Sequence, residues 1–191
     1  MKPTLQEEVA KTLDVLRKGG SILYPTDTIW GLGCDATNTR AIKRLQRIKQ
    51  RSDNKHFIIL LDGTDRLQEY VKLIPEAAWD LYQQIQTPLT IVFPDARNLS
   101  KLVIGKDRTV GIRIPRDDFA LELVRQFGKP VISTSANLSG DPPPMFFRDI
   151  NPVLLQEVDY VVDFHRDRIQ ETKPSTIIRL HENGEFEVIR Q

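Results

Sequence analysis

Leu5, Val9, Leu13 and Leu16 recur at the spacing of one buried helix face, behind a Thr4-x-x-Glu7 capping box. Gly19-Gly20 closes that predicted helix. The pattern then shifts to short apolar runs at 21–24 and 57–61, lengths that suit buried strands, with helical spacing between them from Thr39 to Lys49. Pro75 opens a predicted helix that runs to Gln84. Residues 89–93 and 110–114 read as strands, and 117–127 as a helix stopped by Gly128. Further strands are expected at 130–133, 158–163 and 175–180. Asn183-Gly184 predicts a two-residue hairpin turn, both positions at positive φ, leading into a strand at 186–190. Strands alternating with helices predict one α/β domain over 1–191, and the hairpin adds antiparallel pairing, so the sheet is expected to be mixed.

Composition narrows the class. With 40% hydrophobic and 28% charged side chains, the chain has the make-up of a soluble globular domain. No apolar run approaches the roughly 18–20 residues of a membrane helix, and the first residues lack the apolar core of a signal peptide. A single cysteine, Cys34, excludes an internal disulfide and predicts a cytoplasmic location. The 27 basic and 26 acidic side chains give no overall attraction to nucleic acid; any such contact would come from local clustering.

Local clustering does occur. The strand ending at Tyr24 runs into Pro25-Thr26-Asp27-Thr28-Ile29-Trp30-Gly31-Leu32-Gly33, a turn of hydroxyls, a carboxylate and bare backbone. It lies at the carboxyl end of a strand, where open α/β sheets bind ligands. On the following helix Arg40, Lys43, Arg44, Arg47 and Arg51 share one face, a stripe suited to weak RNA contact or to simple solvation. Lys49 falls instead on the apolar flank, so it either points into a pocket or snorkels out past the helix end. Residues 133–140, Ser-Thr-Ser-Ala-Asn-Leu-Ser-Gly, offer neutral hydrogen bonds to a ligand or to their own backbone. Arg113 alternates with Ile112 and Ile114, so it needs an anion, either a substrate carboxylate or a structural partner. Pro142-Pro143-Pro144 stiffens a loop that is either a spacer or the base of a flap. No His/Cys set has metal-ligand spacing, no phosphate-binding glycine loop of the familiar kinds is present, and Cys34 has no base beside it.

Taken in order, Tyr24-Pro25-Thr26-Asp27-Thr28 with Gly31-Leu32-Gly33, Lys49-x-Arg51, Thr109 to Pro115, Ser135-Ala136-Asn137 with Ser139-Gly140, and Pro174-Ser175-Thr176 resemble the YrdC-like family, most closely its threonylcarbamoyl-AMP synthases. The resemblance implies a twisted α/β sheet with a large concave pocket. It implies an enzyme, a nucleotidyltransferase joining L-threonine, bicarbonate and ATP into threonylcarbamoyl-adenylate with release of pyrophosphate. Magnesium would accompany ATP, and the product would pass to the machinery of tRNA threonylcarbamoyladenosine modification.

Carried onto this chain, the resemblance gives Lys49 and Arg51 the catalytic role. Lys49, Arg51, Lys55, Thr109, Asn137 and Arg190 would hold ATP, and Thr28, Arg113, Ser135 and Ser175 would hold threonine. No protein ligand to a metal is implied, since magnesium would keep phosphate and water ligands. Trp30 stands where many relatives have tyrosine, Leu60 where some have histidine, and Met145 in a loop that relatives make richer in hydroxyls. Two other readings stay open: an RNA-binding module of the same fold, and a relative acting on another carbamoyl or acyl adenylate.

Overall fold

The computed structural model describes residues 3–50, 57–168 and 174–191. Among these, nine strands form one mixed sheet. In chain order the elements are α1 (Leu5–Arg17), β1 (Ile22–Tyr24), β2 (Gly31–Gly33), α2 (Thr39–Ile48), β3 (Ile58–Leu60), α3 (Leu67–Tyr70) and α4 (Ala77–Gln84). There follow β4 (Leu89–Phe93), β5 (Val110–Arg113), α5 (Asp118–Phe127), β6 (Val131–Ser135), α6 (Pro152–Glu157), β7 (Tyr160–Val161), β8 (Thr176–Leu180) and β9 (Phe186–Arg190). Strand order is β7-β1-β2-β6-β3-β5-β4-β8-β9. The pairs β1–β7, β3–β5 and β4–β8 are parallel and the rest antiparallel.

The helix ends follow local chemistry. Thr4 and Glu7 complete the capping box of α1. The Asn38 side chain accepts from the Arg40 and Ala41 amides to start α2, and Asp117 accepts from the Ala120 amide to start α5. Gly128 ends α5 in the left-handed region.

Alternation along the strands sorts the two sheet faces. One face carries Leu23, Leu32, Ile59, Ile91, Phe93, Ile112 and Ile132, covered by α2, α3, α4 and α6 through Ile42, Leu45, Leu67, Ala78 and Leu154. On the other, Ile22, Tyr24, Leu60 and Val131 pack under α1 and α5 through Val9, Leu13, Phe119 and Leu123. Glu8 ties α1 to the sheet edge, accepting from the Tyr160 hydroxyl and the Asp163 amide, each at 2.7 Å. These two helices cover only part of that face, and the remainder is open.

Three elements are absent from the sequence expectation. Gly31-Leu32-Gly33, expected as turn, is strand β2, paired antiparallel with β1 and β6. Its glycines allow close contact: a Cβ at Gly33 would collide with the Ile132 carbonyl and lie 2.9 Å from the Tyr24 ring. Helices α3 and α6, of 4 and 6 residues, are too short to show an apolar period. The final hairpin is also corrected. Gly184 has φ of 85°, but Asn183 is not in the left-handed region. The Gly184 amide donates to His181 O and the His181 amide to Glu185 O. The loop therefore has three residues with glycine at the left-handed position. Asn183 Oδ1 accepts from the Glu185 amide, which holds its backbone out of the two-residue turn.

Candidate functional site

The uncovered sheet face forms a cavity of about 800 Å³. Strand residues at alternate positions floor it: Thr90 and Val92 of β4, Gly111 and Arg113 of β5, Ser135 of β6, Ile177 and Arg179 of β8. Thr26, Thr28 and Trp30 form one wall, and Asn137, Ser139, Gly140, Asp141 and Pro143 another. Thr90, Gly111, Ser135 and the two arginines put small and polar groups on this floor beside the apolar Val92 and Ile177.

Thr28, Lys49, Thr109, Arg113, Ser135, Asn137, Ser175 and Arg190, all singled out from sequence, line this one cavity. Arg51 and Lys55 lie outside the described residues. Lys49 resolves its two readings in an unexpected way. Helix α2 ends at Ile48 and Lys49 is its cap, yet the side chain is 4% exposed. Its Nζ donates to Ser135 O and, at 2.8 Å, to Asn137 O, with Ser135 Oγ and Asn137 Oδ1 each 3.4 Å away. The Ser139 amide donates back to Lys49 O at 3.1 Å. The ammonium thus ties the end of α2 to the loop after β6. Asn137 also braces that loop, donating through Nδ2 to Leu138 O and Asp141 O at 2.9 and 2.6 Å.

Arg113 is buried and has a structural anion. Its Nη2 bonds to Asp27 Oδ1 and its Nη1 donates to Thr28 Oγ1 at 3.0 Å, while Nε has no acceptor among the described residues. Thr26 fixes the turn beneath, its hydroxyl 3.1 Å from that of Thr28 and donating to Ile29 O at 2.7 Å. On the opposite side a bulge between Ile177 and Ile178 shifts the β8–β9 register. Ile189 and Arg190 consequently both reach the cavity. Arg190 donates to Ser175 O through Nε and Nη2 at 3.2 and 2.8 Å. Partial burial, and then the like charge of Arg113, lower the Arg190 guanidinium's proton affinity. Ser175 Oγ lies 2.8 Å from Thr90 Oγ1, and Thr109 donates to Asp107 at 2.7 Å.

Sequence reasoning gave no role to Thr90, Arg179 or Asp27. Thr90 had a signal, a lone hydroxyl inside an otherwise apolar strand. Trp30 is fully buried with its Nε1 unbonded and its ring 4.9 Å from that of Phe147. Leu60 does not line the cavity; it belongs to the core under α1 and α5. Met145 is 46% exposed and also lies off the lining. Arg40, Arg44 and Arg47 face a separate groove of about 790 Å³ beside α6, which Lys43 does not line. Arg44 is held there by Asp159 at 2.7 Å. Among the described residues Asp117, Asp118 and His165 come together at the start of α5, outside the cavity lining. No described helix is long and apolar enough to cross a membrane.

Fold and cavity together define an α/β protein with an open, cationic, hydroxyl-rich sheet face suited to an anionic small molecule. Residues 14–191 match the Sua5/YciO/YrdC family, described as telomere recombination, and the chain belongs to that family. Relatives include threonylcarbamoyl-AMP synthases of Pseudoalteromonas translucida, 34% identical over 90% of this chain and 92% of that one. Another, from Xanthomonas campestris, is 34% identical over 84% and 86%. Among solved structures, P. abyssi Sua5 complexed with L-threonine superposes with a TM-score of 0.83 at 28% identity, covering 94% of this chain. The chain spans about half of that protein, 52% of its length. E. coli YciO matches with a TM-score of 0.84 at 26% identity, over 99% of this chain and 90% of that one.

Proposed function

We propose that this protein is a threonylcarbamoyl-AMP synthase. The observation that carries the reading is the convergence of Lys49, Arg113 and Arg190 with the hydroxyls of Thr28, Ser135 and Ser175 on one cavity. The relatives of that name, and the threonine complex of P. abyssi Sua5, support it.

The threonine amine attacks the carbon of bicarbonate, a C–O bond breaks and water leaves, giving a carbamate whose oxygen attacks the α-phosphorus of ATP. A P–O bond forms, the bond to the β-phosphate oxygen breaks, and pyrophosphate leaves. Charge accumulates on phosphate oxygens, so positioned cations and donors supply the catalysis, without a covalent nucleophile. Lys49 and Arg51 act on the triphosphate, aided by Lys55, with Thr109, Asn137 and Arg190 on the nucleotide. Thr28, Arg113, Ser135 and Ser175 take threonine, Arg113 on the carboxylate. The direct contact between Arg190 and Ser175 supports adjacent nucleotide and threonine half-sites, as attack would require. Asp141 is the lone carboxylate among the described lining residues. Magnesium arriving with ATP would supply positive charge to offset that of the phosphates.

The test is pyrophosphate release with ATP, magnesium, bicarbonate and each of several amino acids. Release that depends on bicarbonate and favours threonine is expected. Release indifferent to threonine sinks the proposal, and a preference for another amino acid reassigns the enzyme within the family.

A further inference from the structure

We infer that Asp27 is a positioning residue for the amino-acid substrate, acting through Arg113; this rests on the reading that Arg113 receives the substrate carboxylate. Asp27 sits between Thr26 and Thr28 but, unlike them, does not line the cavity. Its two oxygens divide their work. Oδ1 takes Arg113 Nη2, and Oδ2 accepts from the Arg116 amide at 3.2 Å. One carboxylate therefore spans from the turn after β1 to Arg113, where β5 ends, and to Arg116 beyond Pro115.

That bridge fixes the guanidinium as well as balancing it. With Nη2 on Asp27 and Nη1 on Thr28, rotation about the end of the side chain would break both contacts at once. The arrangement also answers a repulsion: Arg190 reaches the same cavity and feels the charge of Arg113. Without Asp27, Arg113 would face a second guanidinium with no described carboxylate against it, free to turn toward a phosphate. Asp27 thereby holds Arg113 in one plane and half-neutralises it, leaving a weak anion site that suits a single carboxylate better than a polyphosphate. Other described groups near this pair include Thr26, Thr28, the Arg116 backbone and the buried Tyr24 phenol, which feels both charges. Asp117, which heads α5, also feels Asp27 as a like charge.

The experiment is a double-mutant cycle on the full chain, with threonine and ATP KM read separately from pyrophosphate release. Asp27→Asn keeps the shape but supplies one acceptor oxygen for two donors. The expected result is a threonine KM raised roughly 10- to 100-fold, the scale of a displaced positioning group, with the ATP KM within about twofold. In an Arg113→Ala background, Asp27→Asn should add nothing further to the threonine KM, because its effect passes through the missing guanidinium. An unchanged threonine KM in Asp27→Asn, a matched rise for ATP, or an undiminished effect beside Arg113→Ala overturns the inference. If Arg113→Ala alone fails to raise the threonine KM above that for ATP, the carboxylate reading itself has failed, a different result. Asp27→Glu retains the charge balance and so guards against misfolding. Its longer arm cannot keep both contacts in register, and a smaller rise in threonine KM is expected; no rise counts against the inference.

Discussion

Replacing Lys49 by methionine separates a catalytic cation from a structural one, because the alkyl stem stays and only the ammonium goes. In the folded protein the Nζ bonds to Ser135 O and Asn137 O, and both acceptors lose a charged donor. A stranded buried carbonyl costs about 1–3 kcal/mol, but these two border an open cavity where water can replace the lost donor. The variant also escapes the desolvation of a buried ammonium, itself several kcal/mol. The net loss works out at about 1–2 kcal/mol, or a Tm lowered by roughly 2–8 °C at this chain length. A domain with at least about 5 kcal/mol of stability that loses 2 remains about 99% folded at 25 °C. Turnover should fall much further. A preorganised charge at the transferring phosphoryl group is worth about 100- to 1,000-fold in kcat. The measurement pairs calorimetric melting with single-turnover pyrophosphate release at saturating ATP and threonine. A fall in kcat under about tenfold, or one accounted for by the unfolded fraction, refutes the assignment and leaves Lys49 as a tie between α2 and the loop after β6.

Three further outcomes are expected. Gly33→Ala drives a Cβ into the Ile132 carbonyl and the Tyr24 ring, an overpacking cost of about 1–3 kcal/mol; an unchanged Tm contradicts the close approach of β2. Asp117 has its carboxyl raised above the usual 3.8, first by burial and also by Asp118 and Asp27, against the opposing Ala120 amide. The folded state thus holds this proton to higher pH than the unfolded chain, so the group costs stability as pH rises through its folded value and nothing when both states are protonated. Asp117→Asn keeps an acceptor for the cap of α5, and its stability relative to the parent should improve from acid to neutral pH; a flat difference in urea melts across that range refutes the account. Cys34 is fully buried, and burial followed by the Asp35 charge pushes its thiol well up. It should resist iodoacetamide at pH 8 in the native protein and react on unfolding; native labelling would mean that the core around it opens.

Much of the architecture was legible because it is local. Capping boxes, glycine stops and apolar runs of 3 to 5 residues are written within a few positions of where they act, as α1, β4 and α5 show. What was hidden depends on distant partners. Gly31-Leu32-Gly33 has no strand propensity of its own; it is a strand because Tyr24 and Ile132 stand close enough to exclude a Cβ on Gly33. The partner of Arg113 could not be named from sequence, since Asp27 lies 86 residues earlier. Lys49 was readable as a lysine in the wrong place, but not as a side chain that turns inward just past the helix end. Leu60 shows the converse. It sits two residues beyond Ile58 on the same face, and whether that face meets ligand or core is decided by where α1 and α5 stop.

That boundary is the physical origin of the site. A sheet in this class is ordinarily covered on both faces, since exposed strands there would waste apolar area. Here one face has four helices and the other two, and the sequence of the uncovered strands is adapted to the lack of cover. Thr90, Gly111, Ser133 and Ser135 occupy positions that would otherwise be aliphatic, while their strand neighbours Ile91, Ile112 and Ile132 remain so. Filling the hollow with aliphatic side chains would need a further helix to shield them from water. Lining it largely with hydroxyls, glycine and three arginines instead leaves a hydrated basin whose charges are only partly neutralised from within. Arg113 is balanced by Asp27, and Arg179 by Asp107 and Glu187. Arg190 lies on the edge strand and, among the described residues, hydrogen-bonds only to neutral oxygen at Ser175. On the proposed reading, an incoming polyanion would be drawn toward the Arg190 side of the basin and a lone carboxylate left the Arg113 side, the division of labour that a nucleotide and an amino acid would require.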